Sequence, residues 1–100
     1  MPNGLKIEWS EEAIRNLDSI LDYLIKNWTE REIVRFVSKL ETRLHTISMH
    51  PSAYPGSAQH PYVRPSVISK QTSVYYTVLS NRIVVLSLFD TRQHPGKLKL

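Results

Sequence analysis

The sequence contains no cysteine. Disulfides and thiolate metal sites are therefore excluded, and a reducing compartment is compatible with the chain. No window approaches the roughly 20 apolar residues of a membrane span. Met1-Pro2-Asn3-Gly4 is not followed by a basic region and a long apolar run, so no signal peptide is predicted and the expected location is the cytoplasm. Internal repeats and low-complexity segments are missing too. His45, His50 and His60 lack metal-ligand spacing, and neither a metal nor a cofactor is expected. Acidic residues run out part-way along the chain. Residues 1–41 hold six Lys and Arg against eight Asp and Glu, a net charge of −2; residues 42–100 hold seven against Asp90 alone, a net of +6. Such asymmetry predicts a basic surface for an acidic partner, either a protein segment or a nucleic-acid backbone, with a solvated basic surface as the plainer account.

What is present is enough for one folded domain over residues 1–100: the chain is 41% apolar, and its length leaves no room for a second core. The centre of the pattern is Ser73 to Phe89. Val74-Tyr75-Tyr76-Thr77-Val78-Leu79 and Ile83 to Phe89 are rich in β-branched and aromatic residues, and only Ser80-Asn81-Arg82 separates them. They predict an antiparallel hairpin with Asn81 at positive φ. The second run is apolar at odd and even positions alike, which predicts a central strand covered on both faces. Polar residues follow at once, Asp90 to His94, as where a buried strand delivers groups to a site.

From the N-terminus, Leu5, Ile7 and Trp9 alternate with Lys6 and Glu8, the period of a half-buried strand. Ser10 is a predicted N-cap, with Glu11 and Glu12 suiting the positive end of the helix dipole. Ile14, Leu17, Leu21, Leu24 and Trp28, widened by Ala13, Ile20 and Ile25, predict an amphipathic helix of about five turns. Thr29-Glu30-Arg31-Glu32 has the form of a capping box and starts a second helix faced by Ile33, Val34, Val37, Leu40, Leu44 and Ile47. So short a link predicts an antiparallel helical hairpin whose apolar face needs a sheet to cover. Met49 to Pro61, with Pro51, Pro55 and Gly56, is a loop. A strand through Val63 and Val67 follows, and Pro65 favours an edge there. Lys70-Gln71 turns the chain into the central hairpin. The expected fold is α+β, in the order β-α-α-β-β-β, with the helical hairpin on one face of a mainly antiparallel sheet.

At this point the chain resembles the RelE/ParE superfamily of toxins from bacterial type II toxin–antitoxin systems. The likeness rests on Trp9-Ser10 with Ala13, Leu17, Ile20 and Tyr23 at helical spacing, and on the Pro-containing loop Met49 to Pro55. It continues through Val63-Arg64, Val74 to Val78, Ile83 to Leu86 and Asp90-Thr91-Arg92-Gln93-His94-Pro95. It covers nearly the whole chain. The resemblance implies a toxin neutralised by a cognate antitoxin, whose acidic segment would suit the basic second half. RelE-like members cut messenger RNA in the ribosome; ParE-like members poison DNA gyrase without known nuclease chemistry.

Metal-independent RNA cleavage needs a base for the 2′-hydroxyl, an acid for the leaving 5′-oxygen and cations for the added phosphate charge. In RelE-like toxins basic residues on the middle strands and a Tyr or His near the C-terminal end supply them. Arg64, Lys70, Arg92 and His94 are the candidates if the chain is a nuclease, with Tyr76 a weaker substitute for the missing C-terminal group. Arg64, Lys70, Arg82 and Arg92 are the candidates for binding a target or an antitoxin, on a rim that the strands share. Several also have a structural account: Arg64 and Arg92 each pairing with an acid such as Asp90, with an Asp90–Arg92 pair holding the strand end, Lys70 solvated at a turn, His94 on the surface before Pro95. Because the nuclease set is incomplete, the ParE-like branch is favoured. The RelE-like endoribonuclease is the alternative, and a non-catalytic interaction or RNA-binding module is the third reading. An exposed aromatic platform of the kind single-strand binders use is not evident.

Overall fold

A computed structural model describes residues 4–56 and 59–92. The elements come in the expected order: β1 Lys6–Trp9, α1 Glu11–Asn27, α2 Glu30–Met49, β2 Arg64–Val67, β3 Thr72–Val78 and β4 Arg82–Asp90. The strands form one sheet ordered β1-β4-β3-β2, with both helices on one face. β2, β3 and β4 pair antiparallel in sequence order. β1 lies parallel to β4, with Ile7 opposite Ile83 and Trp9 opposite Val85. Parallel neighbours require a crossover connection, and the helical pair with the two intervening strands provides it. β4 and β3 are thus the two strands paired along both edges. Pro65 sits on β2 at the sheet edge, where a missing N–H costs least. Among the described residues no helix is long and apolar enough to cross a membrane.

Local chemistry fixes the helix starts. Ser10 and Thr29, both in extended backbone, accept from the amides of Ala13 at 3.0 Å and Glu32 at 3.3 Å. The Glu32 carboxylate pairs with Arg35 at 3.7 Å. Ala13, Ile20 and Leu24 of α1 and Phe36 and Leu40 of α2 are buried against Val74, Val85 and Leu88. Further along α2, Ile47 packs with Tyr76 and Ile83. Each of the larger side chains contributes about 1.5–3 kcal/mol by leaving water. The packing also assigns the adjacent tyrosines: Tyr76 is fully buried beneath the helices, and Tyr75 is half-buried on the other face.

Three expectations are corrected. The apolar stripe of the helices is wider than the surface that covers it. Ile14 is 48%, Ile25 65% and Val34 61% exposed, and Trp28, in the link that joins the two helices, is 42% exposed. A helix resting on a sheet with one helical neighbour is covered over only part of its circumference, and residues at the stripe margin face outward. The β3–β4 turn spans Leu79 to Asn81, closed by the Leu79 amide donating to the Arg82 carbonyl at 2.8 Å. Asn81 is not at positive φ, so the connection is not built on a primed turn, which would need positive φ there. Finally, β4 is not fully covered on both faces: Ile83, Val85, Ser87, Leu88 and Asp90 are buried, while Val84, Leu86 and Phe89 are half-buried.

A bulge accounts for the change of phase along β4. Tyr76 pairs with Val85 and Tyr75 with Ser87, so Leu86 is the extra residue. β1 ends at Trp9, opposite Val85, and beyond it α1 takes over the open edge of β4. The Ser10 hydroxyl donates to the Leu86 carbonyl at 2.8 Å, and Asn16 Oδ1 accepts from the Leu88 amide at 3.0 Å. Two side chains of a helix thus stand in for a missing strand, and β4 stays ordered to Asp90.

Candidate functional site

Strand pleat directs Asp90 to the helix side, opposite Thr72. The Thr72 hydroxyl donates to Asp90 Oδ2 at 2.7 Å, and the Arg92 amide donates to Oδ1 at 2.9 Å. The Arg92 guanidinium closes the arrangement with Nε on Oδ1 at 3.1 Å and Nη2 on Oδ2 at 2.8 Å. Burial pushes the Asp90 carboxyl up, but the hydrogen bonds from Arg92 and Thr72 outweigh it and hold the group below its ordinary range. The hydrogen bond to Asp90 raises the Arg92 guanidinium in turn, against the opposing effect of its burial. Arg92 also lies over the Trp28 ring, 5.2 Å from its centroid. Arg92, two residues past the last strand, is thereby fixed in orientation from two sides.

Arg92 forms one wall of a cleft of about 200 Å³ between the helical hairpin and the β2–β3 turn. Phe36, Ile68 and Trp28 supply its apolar surface. Arg35 and Lys39 of α2 bring two more cations, Glu32 one anion, and Ser69 and Gln71 the polar groups of the turn. Arg35, Lys39 and Trp28 are not among the site residues expected from sequence. Their signal was the four-residue spacing of Arg31, Arg35 and Lys39, which puts three cations on one helical ridge. Those residues lie in the part of the chain whose net charge is −2, so a linear tally hides the ridge.

The other candidates are dispersed. Lys70 is exposed in the β2–β3 turn, between the cleft residues Ser69 and Gln71. Arg64 faces the helix side opposite Tyr76, where its Nη1 donates to the Tyr54 carbonyl at 2.7 Å. Arg82 is the first residue of β4 and pairs with Glu8 at 2.9 Å. His94 lies outside the described residues. The single shared rim is therefore corrected. Arg64 is level with Tyr76, whereas Asp90 is level with Thr72 and Arg92 follows it. At about 3.3 Å per residue the four-residue offset between Tyr76 and Thr72 puts Arg64 and the Asp90–Arg92 pair roughly 13 Å apart along the sheet. Antiparallel pairing is the reason: residues at the start of β2 and after the end of β4 fall at opposite ends of β3.

Near Arg64 the chemistry is that of a loop anchor. The Tyr76 hydroxyl donates to the Pro51 carbonyl at 3.1 Å, and burial pushes its pKa up despite the nearby Arg64 charge. Arg43 lies 5.4 Å from the Tyr54 ring centroid, and its Nη1 reaches Ser66 Oγ at 2.7 Å and the Val67 carbonyl at 2.6 Å. Together these contacts tie the Pro-rich loop and the edge strand to α2. A buried phenol with a raised pKa is a poor base, so Tyr76 is a packing and anchoring residue here.

The sequence from residue 7 to 95 matches the family model for the ParE toxin of type II toxin–antitoxin systems, parDE. The chain belongs to the ParE toxin family. Solved structures agree with this fold. The chromosomal ParDE toxin–antitoxin system from P. aeruginosa superposes with a TM-score of 0.71 at 16% identity, covering 89% of this chain and 98% of that one. The E. coli DinJ–YafQ toxin–antitoxin complex gives 0.60 at 11% identity over 93% and 99% of the two chains. HP0894 of Helicobacter pylori gives 0.57 at 13% identity over 89% and 97%. At such identities the likeness extends to the fold alone. A search of curated proteins returns no significant match. Within the ParE family frame, the Asp90–Arg92 pair and its cleft lie inside the matched span, as do Arg64 and Arg82.

Proposed function

We propose that this chain is the toxin of a toxin–antitoxin pair, that it arrests growth by poisoning DNA gyrase, and that a cognate antitoxin neutralises it. The family match over residues 7–95 carries the toxin assignment. The gyrase step is supported by how the cations are distributed. A nuclease needs cations gathered round a proton donor and acceptor. Among the described residues Arg64 is held by a backbone carbonyl, Tyr76 is buried, and Arg92 is paired with Asp90 at the far end of the sheet.

Expression of the chain is expected to trap cleaved DNA on gyrase and to induce the DNA-damage response. Cleavage of ribosome-bound messenger without that response would overturn the reading in favour of the RelE-like alternative. In that case His94→Ala should slow cleavage by about 10²–10⁴-fold, as for a lost general acid. Growth arrest that survives joint substitution of Arg64 and Arg92 would remove both from the target surface.

A further inference from the structure

The cleft beside Arg92 carries more positive charge than the chain answers. Arg92 engages Asp90 through Nε and Nη2, and its Nη1 makes no hydrogen bond among the described residues. Lys39 likewise has neither a hydrogen bond nor an ion pair among them. Arg35 meets Glu32 at 3.7 Å with its side chain 56% exposed, a loose pair that water can replace. Phe36, Ile68 and Trp28 line the same cleft, and Trp28 is 42% exposed. The combination sets apolar side chains beside three cations, one of them already held in place by a buried carboxylate.

We propose that this cleft docks an acidic peptide segment, one carboxylate meeting Arg92 Nη1 and Lys39 while a neighbouring apolar side chain covers Ile68 and Trp28. Charge-assisted hydrogen bonds to a preset guanidinium lose little freedom on binding, which favours this point of attachment. Three features favour a peptide over a nucleic acid. Glu32 lines the cleft and Asp90 backs Arg92, so the local excess of positive charge is small, whereas nucleic-acid affinity grows with each phosphate neutralised. Phe36, Ile68 and Trp28 give the lining an apolar part. The volume of about 200 Å³ lies below the roughly 300–1,000 Å³ of pockets that enclose a whole ligand, and suits one or two side chains. Assigning the segment to the antitoxin rests on the function proposed above; the preference for carboxylates does not.

The test uses the purified chain and an end-blocked synthetic peptide with glutamates on one face and leucines on the other. Two-dimensional NMR resolves an indole signal for each of the two tryptophans, Trp9 and Trp28. The peptide is expected to move the Trp28 indole and the amides of Ser69 and Gln71, and to leave Trp9 in place. Lys39→Glu should weaken binding by about tenfold or more through like-charge opposition. Lys26→Glu, the same reversal on exposed α1, should leave the affinity unchanged. The proposal fails if the peptide leaves these signals unmoved, or if Lys39→Glu binds as well as the parent chain. It fails equally if a single-stranded RNA oligonucleotide or inorganic phosphate displaces the peptide from the cleft at lower concentration than the peptide itself binds. A toxin that arrests growth but fails these measurements keeps its assignment and loses only the cleft.

Discussion

At its start β4 sets Arg82 against Glu8 at 2.9 Å, and just past its end Arg92 meets Asp90 at 2.8 Å. Distance does not separate the two pairs; surroundings do. The side chains are 38% and 43% exposed in the first pair and 14% and 1% in the second. Water can replace either partner at Glu8, whereas Asp90 keeps its charge only because Arg92 and Thr72 satisfy it. An exposed pair is worth little to stability, and a buried pair becomes costly when half of it is removed. The comparison teaches that the same two residue types close a surface seam at one end of a strand and hold a cation in a fixed position at the other.

The largest effect should come from Arg92→Ala, which leaves the Asp90 carboxylate buried without its cation. A loss of about 3–5 kcal/mol is expected, read as a lower urea midpoint at unchanged slope; a loss below about 1 kcal/mol would put both pairs in one class. Next is the acid limb. The folded Asp90 carboxyl lies below its ordinary range, so its contribution is present above the unfolded value of about 3.9 and disappears as pH falls through the folded one. Urea midpoints measured from neutral pH down to about pH 2 should therefore fall less steeply in Asp90→Asn than in the parent chain. Equal slopes would mean that Asp90 titrates as an exposed acid.

Asn16→Ala probes what keeps the buried end of β4 in place. Losing the acceptor for the Leu88 amide should cost about 1–3 kcal/mol. Faster hydrogen exchange at Leu88 than at Val85 is expected in the variant, and uniform exchange would argue against local edge support. The smallest effect belongs to Arg82→Ala, at about 1 kcal/mol or less and diminishing with added salt. A larger, salt-insensitive loss would break the contrast between the two ends.

Much of the fold was legible because its signals are local. The alternation of Leu5, Ile7 and Trp9, the caps at Ser10 and Thr29, and the two apolar runs around Ser80-Asn81 each report on neighbours within a few residues. The Asp90–Arg92 pair could also be weighed from sequence, since the partners are two residues apart. The cleft could not. Arg35 and Lys39 acquire meaning only where α2 meets the β2–β3 turn, and Asn16 only where α1 crosses the edge that β1 leaves open. Trp28 looked like core because its spacing fits the stripe, yet it sits in the turn between the helices, 42% exposed, with the Arg92 guanidinium over its ring.

Residue order alone determined that two amphipathic helices would be followed by strands, that the chain would lack covalent cross-links, and that its positive charge would be concentrated late. Those properties follow from side-chain period and composition, which need no knowledge of what lies across space. Tertiary structure decided which cations stand together. Antiparallel pairing carried Arg64 and Arg92 to opposite ends of the sheet, while helix packing brought Arg35 and Lys39 to Arg92. Electrostatic and hydrogen-bonding energies depend on distance and burial, and neither is encoded at any single position of the chain.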